Sequence, residues 1–172
     1  MKKMRKENFF EKNKTAAIIF GITLAGAIIL LIFYSDIFDK KEKSDEYMFK
    51  KEGELVISDS TGNVKAKLEI EIADTDFDRQ LGLMFRREMK MNQGMLFVFL
   101  TEEIQSFWMR NTYLPLDILF INSEKKIVTI HKNTVPLSDE SYPSSEAAKY
   151  VLEVNAGFTD RYNISTGDII NF

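Results

Sequence analysis

Residues 64–72 read VKAKLEIEI: Val64, Ala66, Leu68, Ile70 and Ile72 alternate with Lys65, Lys67, Glu69 and Glu71. Side chains of a strand point alternately to its two faces, so this pattern predicts a half-buried antiparallel strand. Before it, Ser60-Thr61-Gly62-Asn63 reads as a turn and Leu55-Val56-Ile57 as a short strand. After it, Asp74-Thr75-Asp76 supplies a cap and acidic first-turn residues, and Phe77, Leu81 and Met84 follow at helical spacing. One short helix is therefore expected from about Thr75 to Phe85.

Farther along, MLFVFL (residues 95–100) is a continuous apolar run and predicts a strand buried on both faces. Ser106–Met109 and Ile118–Ile121 read the same way across a polar loop carrying Pro115, and Ile127–His131 follows the turn at 122–126. Val135–Ser145 is a Pro/Ser/Asp loop, Tyr150–Asn155 a strand, Ala156–Tyr162 a helical turn and Asp168–Phe172 a last strand. No repeat or low-complexity tract interrupts the series. The expected fold is mainly β (α+β), a compact antiparallel β-barrel or sandwich with one or two short helices.

The N-terminus has a different character. Residues 15–34 (TAAIIFGITLAGAIILLIFY) carry no charge and include eleven Ile, Leu or Phe. At about 1.5 Å per residue they would extend roughly 30 Å, the hydrocarbon thickness of a bilayer, so a transmembrane helix is expected. Residues 1–14 hold six basic groups against Glu7 and Glu11, a local +4. That cluster should stay cytoplasmic and place the C-terminal domain outside. Cleavage near Ala25-Gly26-Ala27 is the competing reading, but seven more uncharged, mostly bulky residues follow it, which favours an uncleaved signal-anchor. Residues 35–54 are rich in Asp, Glu and Lys and read as a charged linker, with 55–172 as the extracytoplasmic domain. The end of that linker, near Tyr47–Phe49, could instead pack on the domain as an extra edge element.

Several motifs in this domain resemble the family called domain of unknown function 192. They are RQLGLMFR (79–86), GMLFVF (94–99), FWMRNT (107–112) and PLD (115–117), then YPS (142–144), VLE (151–153), NAG (155–157) and GD (167–168). The resemblance implies a small β-rich domain, often exported or membrane-tethered in bacteria and archaea, and it implies no particular reaction.

Composition closes off several classes. With 45% apolar and 28% charged residues the chain is globular rather than disordered. It has no Cys and a single histidine, His131, so thiolate chemistry, a lipoprotein anchor and multi-His metal sites are excluded, and no metal or cofactor is expected. The net charge is −3, which leaves −7 after the N-terminal +4 is subtracted, so nucleic acid is not an expected partner. Asp74-Thr-Asp-Phe-Asp78 opens like a calcium loop, but Arg79 and Phe85 stand where Gly and Glu are required. There is no nucleophile elbow, P-loop or dinucleotide fingerprint, and His131 has no triad context.

The candidate ligand-binding residues are Arg79, Arg86, Trp108, Asn111, Thr112, Asp117 and Glu153. Arg79 and Arg86, seven apart, would share one helix face and could clamp a carboxylate or phosphate. Trp108, Asn111, Thr112 and Asp117 surround the Pro115 loop and suit a sugar or small polar ligand, unless Trp108 is core and the others bond the loop backbone. Asp117 with Glu153 could form a carboxylate pair for glycoside chemistry. Three functions follow in order: a non-catalytic envelope module binding a glycan, a small anionic molecule or a protein partner; a purely structural or protein-interaction domain; and a carboxylate-dependent hydrolase.

Overall fold

The computed structural model describes residues 14, 18, 20, 22–35, 37 and 48–172. The chain divides into two compact units, Met1–Glu46 and Tyr47–Phe172. In the first, residues 22–35 are helical (α1), and their large apolar side chains, Leu30, Leu31 and Phe33 among them, are exposed. Part of the expected span at 15–34 lies outside the described residues, as does most of the linker. Among the described residues, no helix is long and apolar enough to cross a membrane.

The second unit is built on strands β1 (Gly53–Ser58), β2 (Val64–Ala73), β3 (Gln93–Glu103), β4 (Ser106–Phe107), β5 (Leu116–Ile121), β6 (Ile127–His131), β7 (Tyr142–Pro143), β8 (Ala148–Asn155) and β9 (Ile169–Asn171). Two short helices, α2 (Asp76–Leu81) and α3 (Phe158–Arg161), complete it. The main sheet runs β6-β5-β8-β3-β2-β1-β9, and β4 pairs with β7 in a two-stranded sheet. The mainly-β expectation is met. The barrel is not: among the described residues no continuous ladder joins β6 to β9, which meet through the isolated Lys126–Ile169 bridge and a few flanking backbone hydrogen bonds such as Ile127 N to Asp168 O. Nor is the sheet purely antiparallel, since β2 and β3 pair in parallel, which the intervening α2 connection permits.

Helix α2 is shorter than the apolar spacing suggests. Thr75 caps it, its Oγ1 accepting from Asp78 N at 3.1 Å. Gly82 then ends it at φ 49, where a Cβ would crowd the Phe97 ring at 3.2 Å. Arg86 therefore lies outside the helix, so Arg79 and Arg86 do not share a helix face. Likewise β3 leaves the core: Met95–Phe97 are buried, but Leu100 is 91% exposed. The domain starts before Leu55, because Glu52 N donates to Ile70 O at 2.9 Å and extends the β1–β2 pairing.

The sheet separates two apolar clusters. On one face Ile70, Leu96, Leu119, Leu152 and Val154 pack with Phe158 of α3. On the other, Met95, Phe97, Ile118, Phe120 and Val151 pack with Leu83, Met109 and Leu114 from the long loops. Strand alternation thus decides which cluster each polar side chain enters.

Candidate functional site

The seven candidate residues fall into three places. Asp117 pairs with Val154 across β5–β8, and Ile118 pairs with Glu153. Adjacent residues of a strand face opposite ways, so Asp117 and Glu153 lie on opposite faces of the sheet. They do not face one another across a cleft. Asp117 is fully buried and accepts from Asn133 N (2.9 Å), Gly157 N (3.3 Å), Thr159 N (2.9 Å) and Thr159 Oγ1 (2.7 Å). It ties the start of α3 and the loop after β6 to β5, a fully satisfied structural carboxylate.

On the other face Glu71, Met95 and Glu153 occupy one row across β2, β3 and β8. Arg86, delivered by the loop that follows α2, ion-pairs through Nη1 with Glu71 Oε2. Glu71 Oε1 also accepts from Lys50 N at 2.9 Å. Arg86 is 8% exposed and Glu153 5%. Burial pushes the Glu153 carboxyl up to about 8, against the opposing pull of the Arg86 charge. Burial thus favours the neutral form of the Glu153 carboxyl. On the opposite face of the sheet Gly94 lets β3 lie close to β8: a Cβ there would meet the Glu153 backbone carbonyl at 2.8 Å and Val154 at 3.0 Å.

The third place is a platform of loops. Phe85 N donates to Asn111 O (2.9 Å), Met109 N to Ser138 O (3.1 Å) and Leu137 N to Thr112 O (3.1 Å), joining three segments that are distant in sequence. Asn111 holds φ 56, the left-handed region that Asn tolerates, and Thr112 is buried. Trp108 is not in the core. It is 48% exposed, and the Arg110 guanidinium sits 4.2 Å from its ring centroid. Tyr113, 40% exposed, carries Arg87 at 4.9 Å. Arg110 is oriented in turn by Asp139, Nε to Oδ1 at 2.7 Å.

Arg79 belongs to none of these as a ligand group. Its guanidinium donates to Asp74 O, to Val98 O (2.8 Å) and to Asp76, and so fastens α2 to β3. Sequence reasoning missed Glu71, which reads as a solvent-face residue of the alternating strand. It also missed Arg87, Arg110 and Tyr113, whose roles come from loop contacts that have no local period.

The family model for domain of unknown function 192, described as an uncharacterized ACR, matches residues 56–172. The chain is 29% identical over 113 residues to a UPF0127 protein of Pyrococcus furiosus, covering 63% of this chain and 90% of that one. It is 28% identical over 124 residues to a UPF0127 protein of Pyrococcus abyssi, covering 68% and 97%. Two crystal structures are similar. One is of a proposed transcription regulator from Sinorhizobium meliloti 1021 (TM-score 0.66, 42% identity, 69% of this chain and 91% of that chain). The other is of a protein of unknown function from Novosphingobium aromaticivorans DSM 12444 (TM-score 0.65, 32% identity, 69% and 84%).

Proposed function

The chain belongs to the domain of unknown function 192 family, and from that premise we propose a membrane-anchored, extracytoplasmic module that binds envelope glycan without transforming it. The observation that carries the reading is the loop platform. Two aromatic rings, Trp108 and Tyr113, stay substantially exposed, each covered by an arginine, on loops held by backbone hydrogen bonds. An exposed ring with a polar rim on a rigid loop suits the apolar face and hydroxyls of a sugar.

Anchoring rests on the uncharged segment 15–34 behind a +4 flank, with exposed apolar side chains along α1. A hydrolase built on Asp117 and Glu153 is disfavoured by their opposite faces. Capture of an anion by Arg79 and Arg86 is disfavoured because each already bonds a carboxylate. Regulation through nucleic acid, suggested by the Sinorhizobium relative, is opposed by the −7 that follows the basic N-terminus.

The test is retention of the full chain, in detergent, on purified peptidoglycan. Trp108→Ala and Tyr113→Ala should each lose retention while melting as wild type does. Equal retention by wild type and both variants, or none by wild type, rejects the reading. Protease added to intact spheroplasts should digest the domain, and digestion only after lysis rejects the orientation.

A further inference from the structure

The loop platform carries two cation–aromatic pairs, and they differ in charge balance. At one end Arg110 lies over Trp108 and is neutralised by Asp139, Nε to Oδ1 at 2.7 Å. At the other, Arg87 lies 4.9 Å from the Tyr113 ring centroid and has no carboxylate partner among the described residues. Both ends belong to one bonded structure. Thr112 N donates to Met109 O at 3.1 Å within the 108–113 loop, and Phe85 N, two residues before Arg87, donates to Asn111 O at 2.9 Å. Elsewhere Arg79 and Arg86 each bond a carboxylate. Arg161 bonds none, but it lies over Tyr162, a ring that packs against Phe158 of the core. Arg87 instead joins an uncompensated cation to an exposed ring.

We propose that the Arg87–Tyr113 end of the platform receives a carboxylate borne by a substituent of the glycan, while the Trp108 end receives an uncharged sugar face. This inference rests on the glycan reading and assigns the charge of the ligand and its polarity along the platform.

Three considerations select a carboxylate at that end. The first is geometry. Attraction to the Tyr113 ring acts on the guanidinium charge as a whole and leaves its N–H donors for a ligand. Two of those donors match the two oxygens of a carboxylate in a bidentate pair. The second is cost. Arg87 is exposed, so a carboxylate reaching it keeps part of its water and avoids the desolvation that a buried pair requires. The third is range. The domain is acidic overall, but exposed charges beyond about 8 Å are largely screened at physiological ionic strength, so the nearest cation decides. At the Trp108 end a second carboxylate would meet Asp139, which already holds Arg110, and a neutral sugar face avoids that repulsion.

The test uses the full chain in detergent and peptidoglycan stripped of phosphodiester polymers, either untreated or with its free carboxyls amidated. Wild type should be retained about three- to tenfold more strongly on the untreated form, and added NaCl should narrow that ratio. Arg87→Gln should hold both forms alike, at the wild-type level for the amidated one. Arg161→Gln removes the same charge from over a core ring and should keep the wild-type ratio. Equal retention of the two forms by wild type, an unchanged ratio in Arg87→Gln, or an equal loss of ratio in Arg161→Gln each overturns the assignment. Should Arg87→Gln not fold, the wild-type comparison still decides. If wild type holds both forms alike and Trp108→Ala releases both, only the carboxylate is lost and the glycan reading stands. If wild type holds neither form, the glycan reading fails and the carboxylate falls with it.

Discussion

Asp117 and Glu153 are buried carboxyls on neighbouring strands, one register step apart, and the sheet sends them into different environments. Asp117 faces the α3 side, where it accepts four hydrogen bonds from three backbone N–H groups and one hydroxyl. Glu153 faces the other side, next to one arginine that is already engaged with Glu71. Burial alone therefore does not make a carboxyl structural. The number of donors pointed at it decides whether it is a brace or an available group. Asp117 is spent on architecture, and Glu153 is not.

The largest expected effect tests the cluster around Glu153. Arg86→Met should remove about 3–5 kcal/mol of domain stability, because it leaves the Glu71 carboxylate buried without its cation. Urea denaturation followed by tryptophan fluorescence measures this, and a loss under about 1 kcal/mol would mean the pair is solvated in solution. Asp117→Asn follows, at roughly 2–3 kcal/mol. The new amide NH2 would confront N–H and O–H donors of Thr159 or Asn133 and leave at least one unmatched. If Asp117→Asn proved silent, the contrast between the two carboxyls would collapse.

Part of this contrast was legible in the sequence. The alternation of residues 64–72 does make β2, and the apolar run from Met95 does enter the core. The buried place of Glu71 was not legible, because it occupies the polar phase of the same alternation. It is covered only once β3 pairs alongside β2 in parallel and the loop after α2 brings Arg86 over it. Asp117 and Glu153 were both visible as candidates, but their faces depend on the β5–β8 register, which no local pattern encodes. Arg79 and Arg86 looked like a pair only under a longer helix. Gly82 at positive φ ends α2 and separates them. The Trp108 loop was found from its composition, although its exposure depends on how three loops bond to one another.

A pH titration separates the carboxyls next. The folded-state value of Glu153, about 8, lies above the ordinary 4.5. Between those values the folded protein keeps a proton that the unfolded chain has released. Stability from this group is thus fully present below the ordinary carboxylate range and is lost as pH rises through about 8, with a slope of up to about 1.4 kcal/mol per pH unit. Arg86 and Glu71 are the charged groups that share its row, and the Arg86 charge shallows this loss. Subtracting the urea-derived profile of Glu153→Gln, which cannot ionise, isolates the slope. A flat difference between pH 5 and 8 would show that Glu153 ionises freely and that its surroundings are wet.

The smallest expected effect is that of Glu153→Gln itself at pH 5. Wild-type Glu153 is a neutral acid at that pH, and glutamine has almost the same shape, a carbonyl in the same place and an NH2 where the acid carries its O–H. Among the described residues no donor is bonded to the Glu153 carboxyl, so the substitution orphans none of them. The change should therefore stay below about 1 kcal/mol, in contrast to Asp117→Asn, where the same acid-to-amide swap removes an acceptor that several donors require. As pH rises from 5 the sign should soon turn, and by pH 9 Glu153→Gln should be clearly more stable than wild type, because the amide carries no buried charge. Parallel urea titrations at pH 5 and pH 9 check both halves. A large loss at pH 5 would mean that Glu153 is held as an anion by Arg86, and the two carboxyls would then be braces of one kind.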